Sequence, residues 1–179
     1  MSSALLIIDV QEALCSGVYA THQASAVIAR LNDLAQRFRA ADALVVMVQH
    51  EAGSGTLARS EPGWRLAAAL QIGPADLHLH KRASDAFHET NLHQLLRDRG
   101  ITRLVVGGMQ SEFCVDSTIR RALDLGFAVT PVSDGHTTLD NGVLTAAQIS
   151  AHHNATWENI TSYGVRAVPQ CAADIAPHG

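Results

Sequence analysis

Short apolar runs alternate with longer amphipathic stretches along this chain. Residues 4–8 are continuously apolar and read as a buried strand, and residues 43–48 form a second such run. Between them Val27, Ile28, Leu31, Leu34, Ala35 and Phe38 recur at helical spacing, which predicts a helix over about 25–40. Residues 52–63, rich in glycine and serine, read as a long loop, and Trp64, Leu66, Ala67 and Leu70 as a short helix beyond it. Residues 76–81 alternate, with Leu77, Leu79 and Lys81 on one face and His78 and His80 on the other, which predicts a third strand. A helix over 90–99 carries Leu92, Leu95 and Leu96 and closes at Gly100. The run Leu104-Val105-Val106 is a fourth strand, broken by Gly107 and Gly108. Val115, Ile119, Ala122 and Leu123 then mark a helix that stops at Gly126. Residues 127–133 are a fifth strand, made peripheral by Pro131 and followed by a turn at Asp134-Gly135-His136. The capping-box pair Thr145 and Gln148 opens a helix to about Trp157. A sixth strand over 165–168 ends at Pro169, and the tail to Gly179 is expected to be loose.

Strand–helix alternation of this kind predicts one α/β domain over residues 1–179. It would be a three-layer α/β/α sandwich around a mostly parallel, six-stranded, Rossmann-like sheet. Hydrophobic residues make up 47% of the chain against 17% charged, enough apolar material for such a core. The net charge of -4 leaves no basic footprint for nucleic acid or an anionic membrane. No apolar run approaches the roughly 20 residues that span a bilayer, and the N-terminus lacks the basic region of a signal peptide. Cys15, Cys114 and Cys171 are far apart and form neither a disulfide framework nor a metal-binding pair, so a reducing cytoplasm is the expected location.

In open α/β sheets functional groups gather at the carboxyl ends of the strands. Asp9, Lys81 and Cys114 follow the first, third and fourth strands. The acid accepts the proton of the thiol and returns it to a leaving amine, and the cation favours both anions. Cys114 lies where a strand hands over to a helix, where the helix dipole is expected to favour thiolate. His50 ends the second strand on the same side and is a candidate substrate contact, as is His136; Phe113, Trp64 and Phe87 are candidate pocket walls. In His152-His153-Asn154 the adjacent imidazoles point about 100° apart on a helix, which suits a structural or intersubunit role and not chelation.

In this order the motifs resemble the isochorismatase-like cysteine hydrolases, which include nicotinamidases, N-carbamoylsarcosine amidases and ureidoacrylate amidases. The resemblance rests on Asp9-Val10-Gln11-Glu12 after an apolar strand, and on Lys81 with Ser84, Ala86-Phe87 and Thr90 behind it. It continues through residues 108–115 with Thr118, and Gly126 before Ser133-Asp134. It implies a catalytic triad of Asp9, Lys81 and Cys114, a cis peptide at Met109–Gln110, and an oxyanion hole made by the backbone N–H groups of Gln110 and Cys114. The implied activity is hydrolysis of a C–N bond in a small amide, ureido, carbamoyl or lactam substrate through a thioester, without cofactor or metal, in a homodimer or homotetramer. Two features depart from the pattern. Glu112 stands where aspartate is usual, and Gln49-His50-Glu51 lacks the metal-binding aspartate of nicotinamidases. A non-catalytic binding or scaffold protein of this fold is the alternative. A vinyl-ether hydrolase is a more distant one, since isochorismatases proper lack the cysteine.

Overall fold

The computed structural model describes residues 2–177. Five strands, β1 (Ser3–Ile8), β2 (Leu44–His50), β3 (Leu77–Lys81), β4 (Arg103–Met109) and β5 (Ala128–Thr137), pair in parallel in the order β3-β2-β1-β4-β5. The helices are α1 (Glu12–Cys15), α2 (Ala24–Ala40), α3 (Leu92–Asp98), α4 (Asp116–Asp124) and α5 (Ala146–Glu158). β1 is central and buried along its whole length, which is why its sequence is continuously apolar. Ala4, Leu6 and Ile8 face one core with Leu92, Leu96, Ile119, Leu123 and Trp157, so α3, α4 and α5 cover that side. Leu5 and Ile7 face the other with Val27, Leu31, Leu34 and Phe38 of α2. Among the described residues no helix is long and apolar enough to cross a membrane.

Four expectations need correction. The sheet has five strands, not six, because the segment after Tyr163 meets β5 only through isolated bridges at Val129–Ala167 and Val132–Gln170. Val129 N donates to Arg166 O and Ser133 N to Gln170 O, but Pro131, which lies between them, has no N–H to donate. β5 also runs on through Asp134-Gly135-His136, which is no turn: a bulge absorbs extra residues between the Val106–Pro131 and Gly108–His136 pairs. Beyond a single 3-10 turn at Pro62–Trp64, residues 65–70 are not helical, since the backbone of this stretch serves the turn after β1. Ala67 N donates to Val10 O, Arg65 O accepts from Glu12 N, and Trp64 O accepts from Gln11 and Gln49 side chains at 2.7 and 3.0 Å. The tail is docked as far as Pro177, with Ala172 and Ile175 buried and the Arg37 guanidinium donating to Ile175 O at 2.7 Å; residues 178 and 179 lie outside the described residues.

One glycine sets how closely the central strands meet at the carboxyl edge. Gly108 has φ of 126°, and a Cβ on it would lie 2.0 Å from Ile8 O and 2.7 Å from Ile8 N. No side chain fits between β4 and β1 there, and the backbone angle is one that L residues rarely adopt. Gly108→Ala is therefore expected to cost about 2 kcal/mol or more, read as a fall of about 4 °C or more in Tm by circular dichroism. An unchanged Tm would mean that the two strand ends are free to separate.

Candidate active site

Parallel register brings three strand ends to one level. His50 pairs with Lys81 across β2 and β3, and Ile8 with Val48 across β1 and β2, so Asp9 emerges beside the end of β2 with the end of β3 one strand beyond. Asp9 terminates β1 in the left-handed region, φ 49°, a conformation aspartate tolerates better than most residues. Its N–H still bonds Val48 O at 2.9 Å, and its own carbonyl accepts from Gln11 N at 2.8 Å. The chain is thus turned at Asp9 while its carboxylate stays inside the protein.

The Lys81 ammonium meets that carboxylate at 2.8 Å, both side chains being 1% exposed or less. It also donates to Ala83 O at 3.1 Å and contacts His50 Nδ1 at 3.4 Å, so its three N–H groups have three acceptors. The Lys81 ammonium facing Nδ1 disfavours a second positive charge on the His50 ring and so favours the neutral imidazole. Burial, then the Lys81 charge, holds the His50 pKa below its ordinary value, consistent with that neutral form. Asp9 Oδ1 is buried and, among the described residues, has no partner at normal hydrogen-bond geometry; the nearby Cys114 thiol is a donor whose pKa is raised by burial first and also by pairing with Asp9.

Beyond β4 the Met109–Gln110 peptide is cis, and residues Ser111–Val115 form a π-helical turn that leads into α4. The turn carries Cys114 back over the end of β1. Ligating atoms of Asp9, His50 and Cys114 all lie within 4.8 Å of one another. Three such residues are also a metal-like donor set, but the Lys81 ammonium already contacts two of them and supplies positive charge there.

The thiol itself differs from expectation. Burial first, and the Asp9 charge second, push Cys114 up to about 12, and the Lys81 charge offsets them only in part. With its pKa raised this far, the resting group is a thiol.

The remaining candidates divide. Phe113 is 52% exposed beside Cys114 and is free to meet a ligand. Trp64 is half-buried, edge-on to His80 at 5.1 Å with the Arg59 guanidinium 5.4 Å over its ring. Phe87 is a correction: it is buried and stacks on Phe127 at 6.1 Å, inside the core and not in a pocket wall. His136 is also buried, with both ring nitrogens engaged by side chains, and it borders a separate cavity of about 240 Å³ with His22, Asp134 and Ser150. His152 and His153 contact each other edge-on at 5.5 Å on α5. Sequence reading missed the Ala83 carbonyl, which no side-chain pattern announces, and the part of Gln11, whose amide ties β1 to His50 through both its atoms. A cavity of about 340 Å³ adjoins Lys81 and Ala83 and is lined by polar side chains, among them Glu51, Arg59, His80 and Arg82.

A parallel sheet covered by helices on both faces is an architecture this chain shares with solved structures of the isochorismatase family. The chain belongs to the isochorismatase family: the model of the isochorismatase domain matches residues 3–169. A crystal structure of an isochorismatase family protein superposes with a TM-score of 0.85 at 35% identity, covering 94% of this chain and 97% of that one. Over 138 residues the chain is 41% identical to a streptothricin hydrolase of Streptomyces noursei, an alignment covering 76% of this chain and 50% of that protein. It is also 36% identical over 78 residues to the ureidoacrylate amidohydrolase RutB of Caulobacter segnis, covering 44% of this chain and 33% of that one. The chain thus spans about half the length, or less, of these two curated relatives.

The raised thiol has a direct consequence. Alkylation of Cys114 by iodoacetamide, resolved by peptide mass spectrometry with exposed Cys171 as internal reference, is expected to stay slow at pH 7–8 and still to be rising above pH 9. The thiolate fraction grows only as pH approaches the raised pKa, so a plateau below pH 8 would contradict the burial argument.

Proposed function

We propose that this protein is a cysteine amidohydrolase that cleaves a C–N bond of a small amide, ureido, carbamoyl or lactam compound. The observation that carries the reading is the buried Asp9 carboxylate, which Lys81 holds through Oδ2 and which places an oxygen within 4.8 Å of Cys114 Sγ. An acceptor with no other partner, beside a thiol that holds its proton, suits proton transfer coupled to attack. A preformed thiolate is not required.

As Cys114 Sγ attacks the substrate carbonyl, Asp9 takes the thiol proton, and negative charge moves to the carbonyl oxygen. The N–H groups of Gln110 and Cys114 donate to that oxygen, a contribution of roughly 2.7–4 kcal/mol per donor. Asp9 then gives the proton to the departing nitrogen, the C–N bond breaks, and a thioester remains. Water, deprotonated by Asp9, attacks the thioester; the C–S bond breaks and the sulfur recovers the proton. One amide and one water become one acid and one amine. Lys81 offsets the negative charge that passes between carboxylate, sulfur and oxyanion without itself exchanging protons.

The names of the streptothricin hydrolase and ureidoacrylate amidohydrolase relatives support hydrolysis of this kind. Selectivity falls to the polar cavity beside Lys81 and to the 52–63 loop, which contributes Arg59 to it. His50, Phe113 and Trp64 stand where substrate contacts are expected, and the working assembly is a homodimer or homotetramer.

Ammonia or amine release from a panel of small amides, ureido acids and carbamoyl compounds, with ring opening followed for lactams, tests the reading. Wild type is expected to turn over at least one class. Cys114→Ala and Asp9→Asn should each lower kcat by about 10⁴-fold or more while the circular dichroism spectrum is kept. Equal turnover by Cys114→Ala would remove the thiol from the mechanism.

A further inference from the structure

A buried polar chain runs beneath the turn that bears Cys114. His136 on β5 places Nδ1 2.8 Å from Ser111 Oγ and Nε2 3.1 Å from Asn154 Oδ1 on α5. The direction of each bond follows from one fixed point. Asn154 Nδ2 donates to Ser133 O at 2.9 Å, and the reverse orientation would set two oxygens against each other. Asn154 Oδ1 therefore faces His136 as an acceptor, and Nε2 of the ring must carry a proton. Burial holds the imidazole neutral, with its pKa pushed down to about 4, so that proton is the only one on the ring. Nδ1 is then an acceptor, and the Ser111 hydroxyl donates to it. Ser111 Oγ in turn accepts from the Ser150 hydroxyl at 3.0 Å, because its own proton is committed.

Ser111 is the first residue of the π-helical turn and follows Gln110 directly. Gln110 O accepts from Phe113 N at 3.1 Å and Val115 N at 3.2 Å, so the geometry at Ser111 is passed straight to the backbone around Cys114. The turn is held further along by Thr138 Oγ1 donating to Glu112 Oε1 at 2.9 Å and Trp157 Nε1 donating to Asp116 Oδ1 at 2.8 Å. His136 also meets the Trp157 ring edge-on at 5.0 Å. Of these anchors only the one at Ser111 precedes the nucleophile next to Gln110.

We propose that His136 is a positioning residue of the catalytic turn. Through Nδ1 it fixes Ser111, and through Ser111 it aims the backbone N–H groups and the sulfur of Cys114 at the reacting carbonyl. The inference rests on the reading of Cys114 as nucleophile. It assigns His136 no contact with substrate, so its loss is felt in kcat and not in KM.

The test compares His136→Asn, which keeps an acceptor oxygen near the place of Nδ1, with His136→Phe, which keeps the ring volume and its contact with Trp157 but accepts nothing. Ser111→Ala removes the same bond from the other side and serves if His136→Phe does not fold. On a substrate that wild type cleaves, His136→Phe or Ser111→Ala should lose about 10²-fold in kcat, as expected for a reacting group displaced by an ångström or so. KM should stay within about twofold, and His136→Asn should recover most of the loss. Nitrogen-15 spectra should show His136 as the Nε2-protonated neutral tautomer with Nδ1 bare, in wild type and in Cys114→Ala alike. The opposite tautomer, an equal kcat loss in His136→Asn and His136→Phe, or a loss confined to KM would each overturn the proposal. Turnover persisting in Cys114→Ala would instead overturn the nucleophile reading, with the tautomer result standing separately.

Discussion

The buried ion pair between Asp9 and Lys81 is the constraint on which the arrangement of the carboxyl edge depends. Removing two charges from water costs several kcal/mol per ion, and only close contact with further hydrogen bonds offsets it. Both side chains are 1% exposed or less at 2.8 Å, and the ammonium needs Ala83 O and His50 Nδ1 as well. Those partners come from β1, from the end of β2, and from the end of β3 and the loop after it. The strand ends must therefore be level, and the His50–Lys81 and Ile8–Val48 registers keep them so. Buried pairs are poor devices for stability, since well-packed apolar groups do as well or better. On the proposed function, such a pair at a strand edge beside a thiol serves chemistry rather than folding.

That pair also governs the sulfur. A thiol near a helix start is expected to ionise easily, yet burial and the Asp9 charge act against ionisation and together prevail. The Lys81 charge pulls the other way but is shared with Asp9. On the proposed function, this suits a proton that moves during attack between groups that lie within 4.8 Å of one another.

Much of this is legible in the sequence, and the part that is not has physical reasons. β1, β2 and β4 are buried on both faces and announce themselves as apolar runs, and the stripe of α2 appears at helical spacing. Asp9, Lys81 and Cys114 stand out because polar groups directly beyond such runs are placed by the strands themselves. The 165–170 segment has strand-like composition, but its pairing fails at Pro131, on the neighbouring strand, where its own sequence carries no sign. Residues 64–70 have helical spacing, yet the turn after β1 claims their backbone groups. His136 and Phe87 look like pocket residues by type and position along the chain, and only tertiary packing shows them buried. The thiol's protonation is of the same kind, since desolvation is a property of the finished fold.

The most direct measurement is a double-mutant cycle of unfolding free energy on Asp9→Asn and Lys81→Met. Lys81→Met alone leaves a carboxylate buried without its cation and should cost about 3–5 kcal/mol. The double variant removes both charges at nearly constant volume and should be more stable than Lys81→Met alone. Two single losses that simply add in the double variant would show the charges to be independent, and would contradict the account of the carboxyl edge given above.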